Sequence, residues 1–305
     1  MRLRGNLTRD QDGSYMLRTP LLILVPLLWS LATQAQTQAS CTFNFVSTTT
    51  PFKLQDGTPV FIQSLGINDF GTIVGYSTPG TRKGLIRWAN GGVTHVKGTS
   101  FLEARNDHGT SVGFDLTDQG ILVNGTIITP IVLDVNNGGI DEVKGINKWG
   151  TVVGRYRNPN LYGDHGFKRW SNGTTHTLDF PGALSSSTEP NGINDLGTVV
   201  GSYFAGDRSV HGFIFHNGQW AKLDYPNASD TVPVGITNAG KIIGNADVNA
   251  STTLFLYENG TFKVISVPNS DPGTTSLSSI SPKRGLILGA ALFGPSRKVF
   301  IATCQ

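Results

Sequence analysis

Two glutamates stand at matching places in a repeated string. Glu142 opens "EVKGINKWGTVVG" and Glu189 opens "EPNGINDLGTVVG", each three residues before a Gly. A pair of carboxyl groups about 5 to 9 Å apart can hydrolyse a glycoside, one as acid and the other as base or nucleophile. Glu142 and Glu189 are therefore the candidate catalytic pair, and they carry the enzyme reading, a hydrolase or lyase acting on polysaccharide. Asp69, Asp107 and Asp195 recur in one turn, but without the Asp-x-Asp-x-Asp-Gly run of a calcium loop. Lys148 and Asn238 take their place in other copies, so they are read as turn formers. His165 and His211 are equivalent to each other, and no third ligand lies at useful spacing. Each is expected to hydrogen-bond the backbone of a neighbouring repeat. No metal and no cofactor is expected. The phosphate-binding loop and the dinucleotide fingerprint are absent from the sequence.

The elements that would position these groups come in repeats. The Gly closing each "G-T-V-V-G"-like segment falls at Gly75, Gly113, Gly154, Gly201, Gly244 and Gly289. An Asn-Gly pair follows at 90–91, 124–125, 172–173, 217–218 and 259–260, each time between apolar or alternating runs. That is a hairpin signal, with a type I′ turn expected because Asn and Gly tolerate positive φ. Each unit reads as four short strands: "G-I-N", a turn "N-D-x-G", "T-V-V-G", a variable loop, "H-G-F-x-x-W", the hairpin, and a last strand. Four antiparallel strands in about 44 residues is the size of a propeller blade. The expected fold is all-β, a six-bladed β-propeller of four-stranded antiparallel blades spanning 41–305. Trp88, Trp149, Trp170 and Trp220, with Phe167, Phe213 and Phe255, are expected in the packing between blades.

A propeller must hide its raw edges. The sixth unit stops after its third strand, at "RKVFIATCQ", while "CTFNFVST" (41–48) precedes the first unit and alternates like a fourth strand. The expected closure uses 41–48 to complete blade 6. Cys304 falls where the hairpin Asn would be and Cys41 begins the completing strand, so a Cys41–Cys304 disulfide is expected to replace the missing turn. Two other readings stay open: a pair of free, buried thiols, or a lipidated Cys41.

The stereotyped connections leave one face and the variable ones the other, and recognition usually lives on variable loops. The richest occur in units 3 and 4. They present Arg155, Tyr156, Arg157, Tyr162, Tyr203 and Arg208, with Asp179, Asp224 and Tyr225 from the loops into the next units. Aromatic rings beside Arg and carboxylates could grip a sugar or peptide, or form a solvated surface with no ligand. A non-catalytic binding or structural module for a glycan, peptide or surface partner is thus the first functional reading, and the enzyme the alternative.

The chain has 305 residues, 38 of them Gly and 15% charged, against about 25% charged in an average globular chain. "LLILVPLLWSLA" (21–32), followed by small polar residues, has the order of a secretory signal peptide over 1–35, with Met16 a plausible start and cleavage after Ala35 or Ala39. Removing 1–35 leaves 20 basic against 19 acidic residues, which excludes the basic field of a nucleic-acid binder. The expectation is an extracytoplasmic monomer with no membrane attachment after cleavage. At "HGFKRWSNG" (165–173) and "HGFIFHNG" (211–218) the chain resembles the bacterial extracellular repeat family named HAF after its His-Ala-Phe tripeptide. The resemblance covers roughly 60–305 and implies export and a propeller-like array. It supplies no catalytic residues.

Overall fold

The computed structural model describes residues 37–47, 49–53, 59–133, 139–157, 163–184 and 187–305. The expected signal peptide and Tyr162 lie outside them. The chain is all-β, and there is no α-helix among the described residues. Units 2 and 3 are four-stranded antiparallel sheets in chain order, beginning at Thr99–Arg105 and Gly139–Ile146. Unit 1 begins at Pro59–Ile67 and has a fifth strand, Thr49–Lys53, that the repeat did not announce. Units 4 and 5 begin at Thr188–Ile193 and Asp230–Ile236, and one parallel bridge from Val210 to Asp230 joins them. A second unannounced strand, Thr37–Gln38, runs parallel to the last strand of unit 5.

Unit 6 starts at Ser276–Ile280 and takes its outer strand from Cys41–Val46, antiparallel to Ser296–Cys304. Cys41 faces Cys304 in register and the two form a disulfide. The first strands of the units neighbour one another in order, and that of unit 6 also neighbours that of unit 1. Six hydrophobic clusters each straddle two neighbouring units. Val112 and Phe114 meet Val152 and Phe167, for example, and Leu288 and Val299 of unit 6 meet Ile67 and Ile73 of unit 1.

The repeated Asn explains how neighbouring turns are joined. Asn147 Oδ1 accepts from the N–H groups of Trp149 and Thr151, closing its own turn, while Nδ2 donates to the carbonyl of Asn194 in the next unit. Asn68, Asn106 and Asn194 repeat the forward bond, to Asn106, Asn147 and Thr237. Only an amide carries both an acceptor and a donor at this reach. Where unit 5 has Thr237 and unit 6 has Ser281, the hydroxyl still accepts within its own turn. The carboxylates run the other way. Asp107, Asp195 and Asp69 accept from the backbone N–H of Asp69 in unit 1, Lys148 in unit 3 and Lys283 in unit 6 respectively. The turn-forming aspartates are thus staples between units. Asn147→Ala removes three hydrogen bonds and is expected to cost about 3 kcal/mol, whereas Asn147→Ser, which can keep the cap within the turn, should cost about 1 kcal/mol in denaturant titrations.

Three local expectations change. Type I′ geometry holds for Asn217-Gly218 and Asn259-Gly260, where both residues have positive φ. At Asn90-Gly91 and Asn172-Gly173 only the Gly is positive, and the Asn side chain caps the N–H two residues on. At 124–127 Gly125 alone is positive, as the first central residue of a two-residue loop. Phe167, Phe213 and Phe255 are fully buried, but Trp149 is 62% exposed and Trp88 39%. Trp149 sits in the turn between strands, where its indole N–H bonds the carbonyl of Asp195, so it never enters the core. His165 and His211 do not reach a neighbour's backbone among the described residues. His165 Nδ1 lies 2.8 Å from Asp179 Oδ2, and His211 Nδ1 lies 3.0 Å from Asp224 Oδ2, each within its own unit.

Candidate functional site

A cavity of about 440 Å³ is lined by residues from the first strand of all six units. Its chemistry follows from a defect in those strands. Besides a further shift at Ser100 in unit 2 and at Asp141 in unit 3, each first strand shifts register against its second strand at a shared place: Leu65, Glu103, Lys144, Asn191, Val234 and Ser278. Each is the residue before the repeat Gly or its equivalent. A β-bulge leaves one residue unpaired and re-aims its side chain, and all six bulged residues line the cavity. Units 2, 3 and 4 contribute Glu103, Lys144 and Asn191, a contiguous polar sector. Units 1 and 5 contribute Leu65 and Val234, and unit 6 contributes Ser278.

Arg155 is the electrostatic hub beside that sector. It pairs with Glu142 at 3.2 Å through Nε, with Glu189 at 2.8 Å and with Asp164 at 3.1 Å through Nη1. Cross-strand register places it there, since Arg155 lies opposite Glu142. Glu142 also meets Lys144 at 3.4 Å. Glu142 and Glu189 therefore share one guanidinium between them. Glu103 differs from both. It has no hydrogen-bond or ion-pair partner among the described residues, and desolvation holds its carboxyl above the usual range against the pull of Lys144, with a smaller push from the Glu142 charge.

That direction fixes a pH dependence. The folded carboxyl titrates above the unfolded one, so the ionised form is penalised in the fold. The penalty is absent below the unfolded pKa and complete above the folded one. Glu103→Gln is expected to raise stability at pH 7 by about 1 kcal/mol, roughly 2 °C, and to leave it unchanged at pH 4. Calorimetric scans at the two pH values check the difference.

The other expected ligand-face residues separate into two groups. Tyr156, Tyr203 and Tyr225 were expected as exposed rings, and all three are about 2% exposed. Strand alternation puts Val152 and Tyr156 on the face packed against unit 2, and Val199 and Tyr203 on the face packed against unit 3. Tyr203 stacks on Phe180 at 3.8 Å, and Tyr225 packs edge-on to Phe262 at 5.2 Å. Their rings hold loops down instead of facing solvent. Arg157 and Arg208 are exposed, the former paired with Asp164 at 2.8 Å. Asp179 and Asp224 each orient a histidine, and desolvation raises the Asp179 carboxyl although its bond to His165 opposes this. Glu103, Lys144 and Asn191 escaped sequence reasoning. Their signal was the residue before the repeat Gly, which changes chemical type from unit to unit while its neighbours do not.

No family model matches the chain, and no curated protein matches it in sequence. Solved structures do match in shape. One, provisionally assigned as a gluconolactonase, shares 10% identity at a TM-score of 0.51, over 88% of this chain and 95% of that one. The Aleuria aurantia lectin bound to α-methyl-L-fucoside gives 10% identity and 0.44, over 85% and 96%. A β-propeller domain from Myceliophteria thermophila gives 11% identity and 0.43, over 88% and 97%. The structural neighbours of this chain are β-propeller proteins, and the likeness concerns the fold alone.

Proposed function

We propose that the chain is an exported, non-catalytic binding module: a closed six-bladed propeller of the HAF-repeat type that takes a glycan or peptide at the polar sector of its central cavity. The single observation that carries the binding site is the set of bulges that turn Glu103, Lys144 and Asn191 inward beside Arg155. Closure is supported by the strand pairing of Cys41–Val46 in unit 6 and by the core shared between units 6 and 1. Export is supported by the disulfide, which belongs to an oxidising compartment. No helix among the described residues is long and apolar enough to cross a membrane. Cleavage after Ala35 fits better than after Ala39, because Ala39 is buried in the core between units 5 and 6.

Binding is favoured over hydrolysis because Glu142 and Glu189 are both held by Arg155. A catalytic pair needs one carboxyl free to give its proton to the leaving group. The test is a glycan and peptide array probed with the exported protein and with Lys144→Met. The variant is expected to lose at least tenfold in signal, and bound polysaccharide should release no new reducing ends. Equal signal from the variant would remove the cavity from the account. Released product would restore the enzyme.

A further inference from the structure

The cavity distributes its charges unevenly, and one carboxyl is left over. Arg155 is occupied by three carboxylates, and Lys144 by Glu142. Toward the turn face, Lys148 lies over the Trp149 ring and Asp195 accepts from Lys148 N–H and Asn238 Nδ2. Among the carboxylates lining the cavity Glu103 alone has no partner, although a bulge has turned its half-buried side chain into the cavity. A desolvated, unpaired carboxyl costs stability. Leu65 and Val234, at equivalent positions in the strands of units 1 and 5, give the cavity an apolar part as well.

We infer that Glu103 is the anchor for a positively charged group of the ligand, a primary ammonium carried on a partly apolar body. The inference rests on the binding reading above and gives its ligand a chemistry. An incoming anion would find Lys144 and Arg155 already ion-paired, while Arg105, which also lines the cavity, meets only the Ser111 hydroxyl and the Trp88 ring. An incoming ammonium finds a ready counter-charge in Glu103, with acceptor oxygens on Asn191 and Glu142 in the same sector. The ammonium brings three donors, and neutralising Glu103 removes the penalty its ionised form carries in the unliganded protein. Two sources offer this group: an amino sugar, and a lysine side chain or free N-terminus of a peptide. Binding is expected to tighten as pH rises through the titration of Glu103, because only the ionised form attracts the cation.

The experiment uses calorimetry on the full exported protein with two matched probe pairs. One pair is a glucosamine tetrasaccharide and its fully N-acetylated form. The other is a Gly-Lys-Gly amide and its form acetylated at both the α-amine and Nε. In at least one pair the free amine should bind at least tenfold tighter than the acetylated probe. Which pair responds identifies the source. Glu103→Gln should abolish that difference, while its higher melting temperature at pH 7 shows that it is folded. The inference is overturned if acetylated and free probes bind alike, if Glu103→Gln binds the amine as wild type does, or if affinity falls as pH rises over the range in which the probe's amine stays protonated. The last result would mean that a protonated Glu103 donates to a neutral ligand. If no amine binds but a neutral glycan does, and Lys144→Met loses it, the cation anchor fails while the binding cavity stands. If Lys144→Met changes nothing for any probe, both fail.

Discussion

Serine at both Cys41 and Cys304 is expected to cost the protein about 5 kcal/mol and to lower its melting temperature by roughly 10 °C. The disulfide spans 263 residues of sequence. Cross-linking so long a loop removes more entropy from the unfolded chain than a short bridge would, so the chain-entropy model puts its effect near the top of the usual range. The folded state should survive the change. Cys41–Val46 still pairs along its whole length with the last strand, and Phe43 packs edge-on to Phe300 at 5.3 Å. The loss should therefore appear chiefly as an altered denaturation midpoint, with native strand content retained. Reducing wild type under native conditions should reproduce the double variant. Removing residues up to 47 goes further, because it exposes the last strand as a bare edge that can pair with another copy. That version should aggregate where the double-serine protein does not. A shift under 2 °C on reduction would show that Cys41–Val46 and Ser296–Cys304 are held by strand pairing alone, and that the bridge adds nothing to it.

How much of this was legible beforehand depends on which physical term fixes each feature. The four-strand unit could be read because turn chemistry is local: Gly71, Gly150 and Gly197 have positive φ, as the "N-D-x-G" string requires. The Cys41–Cys304 register could be read because a missing hairpin and a spare strand must be reconciled. The extra strands Thr49–Lys53 and Thr37–Gln38 could not, since neither repeats and each is held by its partner's edge. In the site, Glu142 and Glu189 came from the alignment, but their shared partner Arg155 depends on cross-strand register. The buried tyrosines show the same limit. Tyr156 and Tyr203 follow the second-strand Gly at the start of long loops, and the sequence does not say that alternation still turns them inward. Glu103 was hidden for a third reason. A bulge is one unpaired residue, and the repeat spacing absorbs it without trace.

The bulge also explains the Gly on which the repeats were aligned, and Gly201→Ala should show it with a loss of about 3 kcal/mol or more. The backbone of Gly201 is not in the left-handed region, so conformational freedom is not the reason. Space is. Gly201 lies opposite Pro190 on one strand and Phe213 on the other. The bulge at Asn191 brings the carbonyl of Glu189 onto the place a Cβ would take, and the Phe213 ring closes it from the other side at 2.9 Å. Phe213 is fully buried and cannot swing away. The facing backbone would have to retreat, and that backbone carries Glu189 and Asn191 into the cavity. Gly201→Ala should therefore weaken ligand binding as well as stability. Gly240→Ala is the control. Its φ is +83° and no atom lies within 4 Å of the added carbon, so only about 1 kcal/mol of left-handed strain is expected, with binding unchanged. Adding Phe213→Leu to Gly201→Ala should recover only part of the loss, because the ring is one of two obstacles and the Glu189 carbonyl remains. Full recovery in the double variant would mean that the ring alone demands the Gly. The bulge would then lose its place as the common cause of the repeated glycine and of the inward-facing polar sector.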